Sequence, residues 1–326
     1  MRPPLRHLAG LALLIGTLAG CGATSDHAQQ LTLNALKTPL APGTSPQSDP
    51  KCPGNPKTNT ASLRPPATLP APGKMPAGSS MAQIQKSRWL VAGVNAGAYR
   101  VGSLNPTTGY IEGFEVDLVK AVARAIFGSD GHVRWVALTV GQRLPAVEQG
   151  RVDIVADTMT VTCGRQTVVD FSNVYYENTQ KLLVPKNSGI DGIGALAHKK
   201  VCATNRSTPY TQMRAMPAAQ RPDVIGPAQA IDCLVALQQG DIAGISTDSA
   251  ILLGFEAQDP NTHIVGSSIG PVPYGMAINK NHRDFVRFVN GVLAELERNG
   301  TWQRLQKYWL GQFGQLEPPP PPQYDG

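Results

Sequence analysis

The feature that most restricts the fold is a repeated switch between strand-like and helix-like apolar patterns. WLVAGV (89–94), VRWVALT (133–139) and VDIVAD (152–157) read as buried strands. Between the first two lies FEVDLVKAVARAIF (114–127), an amphipathic helix with Leu118, Val122 and Ile126 on one face. RLPAVEQG (143–150) reads as a short helix closed by Gly150. A second set follows: KKVCAT (199–204), a helix after STPY, DVIG (223–226), the helix AQAIDCLVALQQG (228–240) and the strand DIAGIST (241–247). The chain then returns with a strand, YGMAI (274–278), and a long helix in which Phe285, Phe288, Val289, Val292 and Leu296 recur at helical spacing. Buried strands alternating with helices imply α/β layers, and two such sets predict two α/β units with a cleft between them. Ligands in such folds bind beyond the carboxyl ends of strands. DTMTVTCGR (157–165), NRSTPY (205–210) and STDS (246–249) fall there.

The flanks have a different character. Arg2, Arg6 and His7 precede an apolar run from Leu8 to Leu18, which is too short for a stable membrane span and has signal-peptide form. It stops at Leu18-Ala19-Gly20-Cys21, which resembles the lipobox of bacterial lipoproteins. Residues 1–20 are therefore expected to be a signal peptide, and Cys21 a lipidated residue that anchors the chain to a bilayer. Residues 21–84 carry many Pro, Gly, Ser, Thr and Asn and few large apolar side chains, as a stalk would. Residues 316–326, with Pro318 to Pro322, read as a proline-rich tail.

The other four cysteines, Cys52, Cys163, Cys202 and Cys233, suit an oxidising compartment and allow three pairings. Cys202 and Cys233 fall in the same region and are paired here. That leaves Cys52 with Cys163, a staple between stalk and body. The formal charge of +6 falls to about +4 once Arg2 and Arg6 are removed with the signal. No dense basic patch is interleaved with aromatics, so nucleic acid is not expected as a partner. The six histidines are scattered and none is spaced as a metal ligand, so neither metal nor cofactor is expected.

The polar stretches have physical readings of their own. Arg165 follows a strand end, where its planar fork can grip a carboxylate with two bonds, or simply face solvent. Thr158, Thr160 and Thr162 alternate and are expected on one side of a strand. Ser207-Thr208-Pro209 reads as a helix start, with Ser or Thr as the cap and Pro in the first turn. Asp248 sits beyond an apolar strand, where a buried carboxylate needs a cation or hydrogen-bond donors, or caps the helix that follows.

Six stretches in order resemble the polar amino-acid-binding proteins of bacterial ABC importers, and most of all the glutamine/glutamate-binding lipoproteins of actinobacteria. They are GFEVDL (113–118), DTMTVTCGRQTVVDFS (157–172), the RST turn (206–208), TDSA (247–250), PYGMAI (273–278) and NGTWQRLQKYWLG (299–311). The resemblance implies a periplasmic-binding-protein type II fold: lobe 1 from residues 85–181 and 273–315, lobe 2 from 182–272, and two crossover strands near 180–184 and 274–278. It implies that Arg165 holds the α-carboxylate of an amino acid, with Thr208 as a second contact. Asp248 takes the ammonium, and Thr158 and Thr160 touch the ligand. Arg206 stands where the family usually has Gly. Tyr99 falls near the place of an aromatic packed over the ligand, and neighbouring Arg100 could read a side-chain carboxylate. With Ser207 these make up the expected ligand set. Arg100 and Arg206 tilt the expectation toward glutamate or aspartate over glutamine or asparagine.

The function this implies is capture of the amino acid outside the cytoplasm by a monomeric, non-enzymatic lipoprotein. The ligand would pass to an ABC permease and its ATPase. A lipoprotein reporting the same ligand to a membrane sensor is the alternative, and a secreted dehydratase-like enzyme a minor one.

Overall fold

The computed structural model describes residues 60–314 and 317–325. It opens with strand β1 (Ser62–Leu63) and helix α1 (Ser80–Ser87), then β2 (Leu90–Val94) and a small meander of β3 (Gly97–Ala98), β4 (Gly102–Leu104) and β5 (Ile111–Glu112). Next come α2 (Phe114–Phe127), β6 (Val133–Ala137), α3 (Arg143–Glu148), β7 (Ile154–Ala156), α4 (Cys163–Gln166) and β8 (Val169–Phe171). The middle of the chain holds β9 (Thr179–Pro185), β10 (Lys200–Cys202), α5 (Thr208–Arg214), β11 (Asp223–Ile225), α6 (Ala230–Gln238), β12 (Gly244–Asp248), α7 (Ser249–Gln258) and β13 (Thr262–Pro271). The chain closes with β14 (Ala277–Asn279), α8 (Arg283–Arg298), α9 (Thr301–Leu310) and β15 (Tyr324–Asp325).

Two five-stranded sheets carry the two lobes. The first has the order β6-β2-β7-β14-β8 and the second β11-β10-β12-β9-β13. In the first, β2 runs parallel to β6 and β7, and β14 enters antiparallel between β7 and β8 after the whole second sheet has been made. In the second, β10 runs parallel to β11 and β12, while β9 is antiparallel to β12 and β13. This is the two-lobed α/β architecture expected from the alternating pattern. The two connections lie side by side. The Val272 N–H donates to the Asn178 carbonyl at 2.9 Å, Tyr274 N–H to Tyr176 at 2.9 Å, and Tyr175 N–H to Tyr274 at 3.0 Å. The paired crossover thus falls at 175–178 and 272–274, a few residues before the expected positions, because Thr179–Pro185 is already inside the second sheet.

The apolar stripes do what their periods demand. Leu118, Val122 and Ile126 of α2 are fully buried and share a core with Phe285, Phe288 and Val289 of α8 and Trp302 of α9. Gly128 stops α2 at φ 85°, a left-handed backbone at which a Cβ is unfavourable. The indole N–H of Trp302 donates to the Tyr175 carbonyl at 3.0 Å, so the last helix is fastened to the crossover itself.

The flanking segments are partly structured. Residues 60–79, expected in the stalk, include a strand that pairs in parallel with β15: Ser62 faces Tyr324 and Leu63 faces Asp325. Asn290 of α8 donates to the Leu63 carbonyl at 2.7 Å, and the Arg64 guanidinium lies 5.2 Å from the Tyr324 ring centroid. The end of the proline-rich tail is therefore a strand rather than a loose extension. Cys202 and Cys233 are disulfide-bonded, with Cα atoms 5.5 Å apart, and join β10 to α6. Cys163 is also disulfide-bonded; Cys52, its expected partner, lies outside the described residues, as do Cys21 and the signal segment. Among the described residues no helix is long and apolar enough to cross a membrane.

Candidate functional site

Thr158 and Thr160, just past β7, and Thr247 and Asp248, at the end of β12, line one chamber. The segment after β7 is not the regular strand that three alternating threonines suggested. Thr158 has φ 44°, a left-handed backbone that costs a β-branched residue roughly 1 kcal/mol or more. Thr160 makes only an isolated bridge to Tyr274, and Thr162 caps α4 by accepting from the Arg165 N–H at 3.3 Å. Thr158 and Thr160 both line that chamber, whereas Thr162 is used as the helix cap. What holds the turn is Glu115, at the start of α2. Its carboxylate accepts the Thr158 N–H at 2.8 Å and the hydroxyl of Tyr175.

A short helix, rather than a strand end, positions Arg165. The side chain is buried; its Nη1 donates to the Thr160 carbonyl at 2.7 Å, and its Nη2 reaches the Arg206 carbonyl of the other lobe at 3.5 Å. Arg143, the first residue of α3, is also buried. Its Nε and Nη1 donate to the carbonyls of Val140 (3.2 Å) and Asp157 (2.7 Å), which fixes the guanidinium, and Nη1 lies 3.9 Å from Asp157 Oδ1.

Asp248 occupies the N-cap position of α7 but makes no capping bond. Its Oδ2 accepts the Tyr274 hydroxyl at 2.9 Å, and its Oδ1 is buried with no hydrogen-bond partner among the described residues. Thr208, the first residue of α5, likewise has a buried hydroxyl without a partner, while Ser207 performs the cap by accepting the Tyr210 N–H at 3.1 Å. Both orphaned atoms belong to residues lining this small chamber of about 20 Å³, which is continuous with a larger cavity of about 420 Å³. Thr158, Thr160, Arg165 and Ser207 line the chamber too, joined by Arg143, Asn95 and Thr204. A buried polar atom with no partner costs roughly 1–3 kcal/mol, and more when charged, so the Asp248 and Thr208 oxygens are the uncompensated polar atoms of this lining.

Burial sets the protonation of the acids. It pushes the Asp248 carboxyl up to about 6 against the pull of the Tyr274 hydroxyl, Arg143 and Arg165. Asp157 is likewise raised by burial to about 6, opposed by Arg143, Asn95 and Arg165. Glu115 goes to about 8, because desolvation outweighs its hydrogen bond from Tyr175. Near neutral pH Asp248 and Asp157 are therefore mostly ionised beside the fixed guanidinium groups of Arg143 and Arg165, while Glu115 largely keeps its proton. Among the described residues no group of three or more His, Cys, Asp or Glu could hold a metal ion.

Raised carboxyl pKa values also have a sign for stability. A group bound to its proton more tightly in the folded state stabilises fully below its unfolded pKa and loses that contribution as pH rises through the folded one. For Glu115 the window runs from about 4.5 to about 8. The ligand-free protein should lose stability across it, and Glu115→Gln, whose amide oxygen can still accept from Thr158 and Tyr175, should flatten that loss and be the more stable form at pH 8. Thermal melts of both proteins from pH 5 to pH 8 test this; parallel curves would show that Glu115 does not titrate in the window.

Two of the expected ligand residues lie elsewhere. Arg100 donates through Nε to the Trp309 carbonyl at 2.6 Å and through Nη2 to Tyr308 at 2.8 Å, closing the carboxyl end of α9. Tyr99 is more than a third exposed and packs its backbone against Gly254 of α7. Neither lines the chamber, because the left-handed φ of 62° at Arg100 turns the loop toward α9. Arg100→Ala should cost about 1–2 kcal/mol of stability through lost charge-assisted bonds and leave ligand affinity unchanged; a selective loss of acidic-ligand binding would return Arg100 to the site. Arg206 lines a larger cavity at the chamber's mouth. Arg143 and Glu115 were not singled out from the sequence. Arg143 opens α3 and Glu115 is the second residue of α2, positions where a charged side chain gives no signal of burial.

The sequence profile of the bacterial extracellular solute-binding proteins, family 3, matches residues 90–312. The ABC transporter glutamine-binding protein GlnH of Bacillus subtilis is 31% identical over 232 residues, which covers 71% of this chain and 84% of the relative. The glutamate-binding protein GluB of Corynebacterium glutamicum is 26% identical over 65% of this chain and 75% of its own length. Among solved structures, a mutant of ArgBP from T. maritima superimposes with a TM-score of 0.65 at 26% identity, covering 71% of this chain and 99% of that one.

Proposed function

Because the chain belongs to the bacterial extracellular solute-binding proteins of family 3, we propose that it captures one acidic amino acid, glutamate or aspartate, between its lobes and delivers it to an ABC importer. The observation that carries this is the composition of the chamber. Asp248 Oδ1 is a buried acceptor without a donor, and Arg165 and Arg143 are two buried, fixed cations beside it. An α-amino acid has an ammonium for Asp248 and an α-carboxylate for Arg165 and the Thr208 hydroxyl. Arg143, held by the Val140 and Asp157 carbonyls and loosely paired with the Asp157 carboxyl at 3.9 Å, is the second lining cation, and we assign it to a side-chain carboxylate of the ligand. Charge-assisted bonds of this kind strengthen when water is excluded. Relatives named for glutamine, glutamate and arginine share the scaffold, so the side-chain choice rests on Arg143 rather than on likeness.

The cycle follows from the crossover. With 85–181 and 273–315 taken as one lobe and 182–272 as the other, the paired segments at 175–178 and 272–274 are the hinge about which the lobes close. Arg165 already reaches the Arg206 carbonyl across the cleft, so a ligand gripped by Arg165 and Thr208 would be held from both lobes at once. Anchoring through Cys21 would keep the monomeric body beside its membrane partner.

Calorimetric titration of the oxidised protein, unfolded and refolded to strip carried ligand, against glutamate, aspartate, glutamine and asparagine tests the proposal. Micromolar or tighter binding of the acids, with the amides weaker, is the expected result. Preference for the amides would retire the role of Arg143, and no binding to any of the four would overturn the ligand class.

A further inference from the structure

Outside the chamber, and continuous with it through Val140, Arg143, Arg165, Ser207 and Thr208, lies a second cavity of about 420 Å³. Four arginines line it: Arg143 and Arg165 from the first lobe, Arg206 and Arg214 from the second. No aspartate or glutamate lines it. Neither Arg206 nor Arg214 lies within ion-pair distance of a carboxylate among the described residues.

Both of these outer arginines are set in place by their surroundings. Arg206 adopts φ 63°, where glycine would be free of strain. Its side chain extends across the cleft, with Cδ 3.2 Å from the place a Cβ on Gly141 would take. The Arg214 guanidinium is steadied by the Tyr210 hydroxyl at 3.1 Å and by the Tyr210 ring, 5.5 Å from its centre. Both residues are exposed, so they lie on the approach to the chamber rather than inside it.

We propose that this four-arginine vestibule is an encounter subsite for the side-chain carboxylate of an acidic amino acid. Arg206 and Arg214 draw the anion into the cleft and pass its side-chain carboxylate to Arg143 as the lobes close. The inference rests on the proposed ligand class and adds to it a kinetic basis for preferring anions. A cleft lined by charge of one sign raises the on-rate of an oppositely charged ligand and does so less at high salt. Exposed groups that act on approach change the on-rate more than the off-rate.

The test is stopped-flow binding of glutamate and glutamine to the wild type and to the Arg206→Gln/Arg214→Gln double variant, at about 20 mM and about 200 mM salt. Arg134→Gln, on an edge strand where the guanidinium stacks 4.6 Å over Trp89, serves as a control for net charge. The expected result is a fall of roughly three- to tenfold in the glutamate on-rate relative to glutamine at low salt, shrinking at high salt, with off-rates within about twofold and no such fall in the control. Equal falls for both ligands, a loss carried by the off-rate, or no loss would overturn the encounter role while leaving the chamber's ligand intact. A wild type that binds neither glutamate nor aspartate would overturn the ligand class, and the subsite with it.

Discussion

Asp248→Asn is expected to weaken amino-acid binding by about 2–5 kcal/mol, roughly thirtyfold to several thousandfold, the range for removing one member of a buried, hydrogen-bonded charge pair. The substitution isolates the charge. An asparagine oxygen can still accept the Tyr274 hydroxyl that Asp248 Oδ2 accepts at 2.9 Å. What disappears is the ionised Oδ1, which has no partner in the ligand-free protein. The same change removes a buried charge, so the ligand-free variant should be at least as stable as the wild type at pH 8. Lost affinity with retained stability is the signature of a group kept for a ligand, and a general packing defect would lower both. Affinity retained within about threefold would show that the ammonium is bound elsewhere. The wild type should show the related pH effect. With Asp248 near 6, affinity should be level above that pH and fall by up to about tenfold per unit below it, as proton and ammonium compete for one carboxylate.

The second large effect is on the second lobe. Replacing Cys202 and Cys233 together by alanine should destabilise the protein by about 2–4 kcal/mol, the size expected when a cross-link closing a loop of this length is lost; the two residues are 31 apart in sequence. The bond joins the end of β10 to the first turns of α6. Thr204, two residues past β10, and Ala230, the first residue of α6, line the chamber, so ligand affinity should drop as well. Urea unfolding followed by circular dichroism gives the stability, because all four tryptophans (Trp89, Trp135, Trp302 and Trp309) lie outside the stretch from β9 to β13 that builds the second sheet. A change below about 1 kcal/mol would show that the packing of Leu234 and Leu237 around the bond holds the lobe without it.

The fold was legible where period and burial agree. Leu118, Val122 and Ile126 repeat at helical spacing because one face of α2 must meet a core, and all three are buried. Six residues singled out from sequence, Thr158, Thr160, Arg165, Ser207, Thr208 and Asp248, line one chamber because strand ends in α/β folds converge there. The remainder depends on backbone angles and tertiary contacts that leave no local mark. The left-handed turns at Thr158 and Arg100 occur at non-glycine residues. The first replaces the expected regular strand by a turn held on Glu115, and Arg100 is bonded to the end of α9 instead of the chamber. Arg143 escaped notice because a charged residue opening a helix usually faces water, and only the fold turns it inward between Val140 and Asp157. The strand at Tyr324–Asp325 pairs with a segment more than 250 residues away in sequence, and nothing in a proline-rich tail announces such a partner.

The most direct measurement of the central claim, that Arg143 reads a side-chain carboxylate, is the glutamate-to-glutamine affinity ratio in the wild type and in Arg143→Gln. The expected result is a fall in glutamate affinity of about one hundredfold, close to 3 kcal/mol, for a buried charge partner removed, with glutamine affinity changed by less than about threefold. Equal losses for the two ligands would contradict the account and reduce Arg143 to a brace for the Val140 and Asp157 carbonyls.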